Sequence, residues 1–290
     1  MLRRLFAFTV PALLFLRAPL TAQTPQEVRR AFANLKSDDI PNNCSEAVLW
    51  LYKRRDKLKA QMLDQLYNPQ TDFQARDALL IVLFKTESFV PDQRFAKFVM
   101  ARIPEEDSHV GNFDIEPDPE HTTDMRNDAG AHHAACRFID AHFDLFEPLL
   151  ADQISTTKDM WWLWADAWLM KKRGVLPSHA ALFTPDVLAR AAVHLRNDKV
   201  RYNASQAARL FLLLGEQSLP VLRQSAKSAD AQQNNMSRAL IDAIGEGNHK
   251  AFGYLNSKLN LSLTPFGDKA EDPAWLDAET EPYLERDKYP

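Results

Sequence analysis

The chain has 290 residues, a length suited to one elongated domain or two compact ones. Only 8 of them are glycine, against a usual share of about 7%, which argues against sandwiches, barrels and nucleotide-binding α/β folds and leaves an all-helical chain. The formal charge of −4 becomes −7 once a leader carrying three arginines is removed, so no general polyanion-binding or nucleic-acid surface is expected.

Residues 1–22 have the pattern of a secretory signal peptide. Arg3 and Arg4 form a basic start, an apolar stretch of 12 residues runs from Leu5 to Leu16, and a cut is expected after Ala22. The apolar stretch is too short to span a bilayer, so the mature chain is expected to be secreted or periplasmic and not membrane-spanning. Export would expose Cys44 and Cys136 to an oxidising compartment. Both are nevertheless expected to be buried thiols, because in a helical array they would sit in different repeats, too far apart for a bridge.

Beyond the leader, amphipathic blocks follow one another with almost no alternating pattern. Pro91, Pro148, Pro185 and Pro220 are expected to open equivalent helices, because a first helical turn tolerates the missing N–H. An acidic insertion near 104–130 breaks the pattern. Pro117 and Pro119 oppose a helix there, and Asp114, Glu116, Asp118 and Glu120 alternate without the glycine turn and closing glutamate of a calcium-binding EF-hand. A solvated acidic loop is the plainer reading.

Five of the 8 histidines fall between His109 and His142. On a helix starting near Ala129, His132, Cys136 and Asp140 share a face, and with His133 and His142 they are the candidate ligands for a zinc ion. Ala134, Ala135, Cys136 and Ile139 read equally as the inner face of a helix, and neither His-Glu-x-x-His nor Cys-x-x-Cys occurs.

The next block, Trp161-Trp162-Leu163-Trp164 through Trp168, has Asp159 as a start signal and Lys171, Lys172, Arg173 and Gly174 as a stop. Trp161, Trp164 and Trp168 share one face and Trp162 another, so the indoles either fill a core or leave a surface that stacks on a sugar ring or anchors a partner.

From Asp198 the spacing of Val200, Ala204, Ala207, Ala208, Phe211 and Leu214 predicts a helix stopped by Gly215, with a second helix starting near Pro220. Leu214-Gly215 recurs as Ile244-Gly245. The run Asp198-Lys199-Val200-Arg201, with Ala204, Ala207 and Leu214-Gly215, resembles HEAT-type repeats, including the short HEAT-like and armadillo-like units. Arg76-Asp77-Ala78-Leu79-Leu80 resembles a more degenerate copy.

The resemblance implies an all-α fold, an α-solenoid of stacked antiparallel helix pairs with irregular repeats and no substantial sheet, over residues 23–264. It also places Asp198 and Arg201 in a polar ladder between repeats. Residues 265–290 are expected to form an acidic tail, or a cap over the last repeat.

No glycine-rich phosphate loop, dinucleotide fingerprint or Gly-x-Ser-x-Gly elbow is present. The expected role is therefore a scaffold that binds another protein or peptide in a concave groove. The alternatives are a metal-dependent enzyme built on the histidine cluster and a carbohydrate-binding protein built on the tryptophans.

Overall fold

The computed structural model of the chain describes residues 24–35, 44–102, 128–196, 201–259 and 261, and every regular element in them is helical. The expected leader, most of the acidic insertion, Asp198 with Val200, and the acidic tail lie outside the described residues. None of the described helices is long and apolar enough to cross a membrane.

In chain order the α-helices are α1 (Pro25–Asn34), α2 (Ser45–Tyr52), α3 (Arg55–Tyr67), α4 (Phe73–Phe84), α5 (Gln93–Arg102), α6 (Asp128–Ala141) and α7 (Phe143–Thr156). They continue as α8 (Met160–Lys172), α9 (Leu176–His179), α10 (Pro185–Val193), α11 (Arg201–Leu214), α12 (Leu219–Ser225), α13 (Ala231–Gly245) and α14 (His249–Leu259).

Local signals account for most of the boundaries. Thr24 and Glu27 form a reciprocal capping box on α1, Asp72 caps α4, and Thr184 caps α10 ahead of Pro185. At the far end of α8, Gly174 adopts φ 75°. Its N–H donates to the Lys171 carbonyl and that of Val175 to the Met170 carbonyl, both at 2.9 Å, the paired bonds of a Schellman stop. Gly215, at φ 58°, ends α11 as the sequence predicts.

Three expectations are corrected. Pro91 precedes α5 without entering it, because Asp92 provides the cap, its Oδ1 accepting from the Phe95 N–H at 2.8 Å. Pro148 lies inside α7 on its exposed side, where the missing N–H forfeits one backbone bond without disturbing the core. Gly245 ends α13 as an ordinary helical residue, and the left-handed position falls instead on Gly247, at φ 60°.

Two helices are apolar nearly all round and sit in the middle of the packing, as such helices must. Of these, α4 packs against α2, α3 and α6, while α8 packs against α6, α7, α9 and α11. One line of contacts runs from α2 through α4, α6, α8 and α11 to α13 and α14. Beside it α5 packs on α7 and, separately, α10 packs on α12. Among the described residues, the principal contacts join helices near one another in chain order, and none links α1–α5 to α10–α14. The ring of Phe138 on α6 meets Phe84, Phe89, Phe95 and Phe146 at centroid distances of 5.0 to 6.1 Å, tying α4, α5 and α7 together.

Candidate functional site

Each tryptophan of α8 is placed by the cap below it. Asp159 Oδ1 accepts from the Trp161 N–H at 2.7 Å and the Trp162 N–H at 3.3 Å, which fixes the register of the helix. Trp161, Trp162 and Trp164 are all buried, with Trp162 only 1% exposed, and Trp168 is half-buried. The Trp161 ring meets Trp162 edge-on at 4.6 Å, and the Arg209 guanidinium of α11 lies 4.7 Å from the Trp164 centroid. With Trp162 buried as deeply as the other face, these three indoles present no stacking platform to solvent.

The described candidate zinc ligands are each engaged in other contacts. Cys136 is fully buried against the core, and burial, with Asp166 and Asp140 acting in the same direction, pushes its thiol well above the ordinary range. The Asp140 carboxylate receives Lys172 Nζ at 2.6 Å and Arg173 Nε at 2.7 Å, joining the ends of α6 and α8. Both oxygens are thereby engaged. His142 caps no backbone, lies 4.7 Å from the Phe138 ring, and is held below its usual pKa by burial. The side chains of His132 and His133 lie outside the described residues. Among the described residues no group of three or more histidine, cysteine, aspartate or glutamate side chains is placed to hold a metal.

Cys44 and Cys136 are both buried and unbridged. The Cys44 Sγ donates to the Leu35 carbonyl at 3.7 Å, and burial pushes its pKa up to about 11. Thiolate is the reactive form, so Ellman's reagent is expected to label neither cysteine in the folded chain and both after denaturation. Stoichiometric labelling of folded protein would show that one of these sites opens to solvent.

A recess lies elsewhere, a cavity of about 1270 Å³ where α5, α7, the start of α8, the end of α10 and the start of α11 meet. Its lining includes Leu149, Met160 and Leu163, together with Val193, which is 41% exposed. Lys97, Lys158 and Arg190 supply positive charge around it, and Asp152 and Asp159 supply negative charge, the latter turned to the α8 amides. Arg190 Nη2 donates to the Ser155 carbonyl at 3.2 Å, which orients the guanidinium across the rim.

Gln153 is the unusual member of this wall. It is 7% exposed, and both its amide nitrogen and its amide oxygen are buried without a hydrogen-bond partner. An enclosed amide in that state costs roughly 1–3 kcal/mol, and such groups are rare in folded proteins. A primary amide carries both donor and acceptor, the same complement as a peptide group.

Asp166 on α8 is a second buried polar group, 0% exposed, with neither carboxyl oxygen hydrogen-bonded. Burial, reinforced by the nearby charge of Asp159, pushes its pKa well above the ordinary carboxylate range, so it stays protonated where exposed aspartates ionise.

Neither Gln153 nor Asp166 was among the sequence candidates. A lone acid within ten apolar or aromatic positions of α8 is a readable sign of a buried carboxyl. Gln153, by contrast, sits in an ordinary amphipathic pattern, and nothing in the chain signals that α5, α10 and α11 converge around it. The chain matches no protein-family model, no curated protein and no solved structure.

Proposed function

We propose that the chain is an exported, non-catalytic helical-repeat scaffold, a HEAT-like solenoid of stacked helix pairs, that binds a segment of another polypeptide in the groove between α5, α7, α8, α10 and α11. The leader-like pattern of residues 1–22 supports export. The line of helix contacts that advances with chain order from α2 to α14 supports stacking of successive helices.

The observation that carries the binding role is the unpartnered amide of Gln153 in the wall of a large, partly apolar recess. A polypeptide backbone offers an N–H and a C=O to such an amide, while its side chains can cover Leu163 and Val193 and meet the rim charges. A metal ion or a simple anion satisfies only one half of the amide.

The test is selection of displayed random peptides on the immobilised full chain, followed by anisotropy titrations with the enriched sequences. The expected result is peptides whose affinity falls by about tenfold or more in Gln153→Leu, the scale of one or two hydrogen bonds to a buried group. Enriched peptides indifferent to that substitution, or no enrichment at all, would overturn the reading.

A further inference from the structure

We infer that the groove is occupied within the chain itself by the acidic C-terminal segment, residues 262–290, and that a partner polypeptide enters in competition with it. This rests on the groove being a polypeptide site. It adds the identity of the resident occupant and makes access to the site regulated.

The first support is where the described chain ends. The Leu259 carbonyl at the end of α14 accepts from Ser205 Oγ at 2.6 Å, and the Leu261 N–H donates to Asn256 Oδ1 at 2.8 Å with the Leu261 side chain buried. The exit is thereby pinned beside the start of α11, and Asn203, two residues before Ser205 on that helix, lines the groove. The remaining 29 residues span about 95 Å when extended, far more than is needed to reach across the recess.

Charge and apolar pattern supply the second support. The segment carries 8 acidic residues against 3 basic ones, and Trp275-Leu276 lies between Asp272 and Asp277. The groove offers apolar surface at Met160 and Leu163 with Lys97, Lys158 and Arg190 outnumbering Asp152 and Asp159, and Asp159 is already turned to the α8 amides. Tethering places the segment at a local concentration in the millimolar range, so modest complementarity is enough for occupancy, and a partner must bind more tightly to displace it.

The experiment uses the full chain with Ala278→Cys carrying a nitroxide label. The native thiols are buried and do not compete for the label. Methionine methyl signals report the location. Met100 and Met160 line the groove, Met62 lies in α3, and Met236 lies in α13 near the end of the array. The expected result is loss of the Met100 and Met160 signals with Met62 and Met236 retained, and their recovery when Lys97→Glu and Arg190→Glu reverse the rim charge.

Loss at Met236 in place of Met100 and Met160 would mean that the segment caps the last helices, and would overturn the inference. So would retention of all four signals, or groove broadening indifferent to charge reversal. Peptide selection probes the groove with added ligands, so it can succeed while the resident segment proves to lie elsewhere.

Discussion

Replacing Trp162 with alanine is expected to cost about 3–5 kcal/mol of folding free energy, the scale of removing a large aromatic side chain from a closed core. The side chain is 1% exposed, meets Trp161 edge-on, and belongs to the helix that links α6, α7, α9 and α11. A void there removes contacts from several helices at once, and the surroundings relax only in part. Trp168→Ala, at a half-buried position where the Lys172 ammonium lies 5.6 Å from the ring, should cost distinctly less. Urea denaturation of the two variants beside the parent measures both. A loss below about 1 kcal/mol for Trp162 would indicate an exposed aromatic face, because surface substitutions fall near or below that size.

The second large effect depends on pH and comes from Asp166. Its folded pKa is raised by burial first and by Asp159 second, while the unfolded value is near 3.9. Below about pH 4 both states are protonated and the group contributes nothing. As the pH rises, the unfolded chain ionises and the folded chain does not, so stability falls by about 1.4 kcal/mol per pH unit until the folded pKa is reached.

Asp166→Asn cannot ionise in either state. Its stability relative to the parent is therefore expected to grow as the pH rises from about 5, levelling off once the folded pKa of Asp166 is passed, with contributions from other titrating groups cancelling in the comparison. Parallel stability curves for the two proteins would show that Asp166 is charged in the fold.

These effects fall on α8, and α8 is also where the sequence was most informative. Asp159 and Gly174 mark its ends, and the density of tryptophan marks it as a helix with more apolar surface than one face can use. The sequence leaves open whether other helices or a ligand cover these indoles, because that depends on packing such as that of α11, which brings Arg209 over Trp164 from about forty-five residues away.

Prolines were a poorer guide. Pro185 and Pro220 stand in first turns, but Pro148 sits on an exposed side of α7 where a lost backbone bond is tolerated. The metal candidates share a helical face by spacing, yet burial claims Cys136 and two cations claim Asp140. Periodicity places residues on a face and is silent about what that face meets. The groove was illegible for the same reason, since Lys97, Gln153, Arg190 and Asn203 come from four helices whose convergence is a tertiary fact.

Gln153→Leu separates stability from binding, and so tests the central claim most directly. Leucine has nearly the shape of glutamine without the buried, unpartnered amide, so removing the amide should leave the melting temperature unchanged or raise it. If the amide is kept for a polypeptide ligand, the same substitution should weaken binding of the selected peptides by about tenfold or more. A variant that melts lower than the parent and binds those peptides equally well would contradict the account, because Gln153 would then be serving the fold and not the groove.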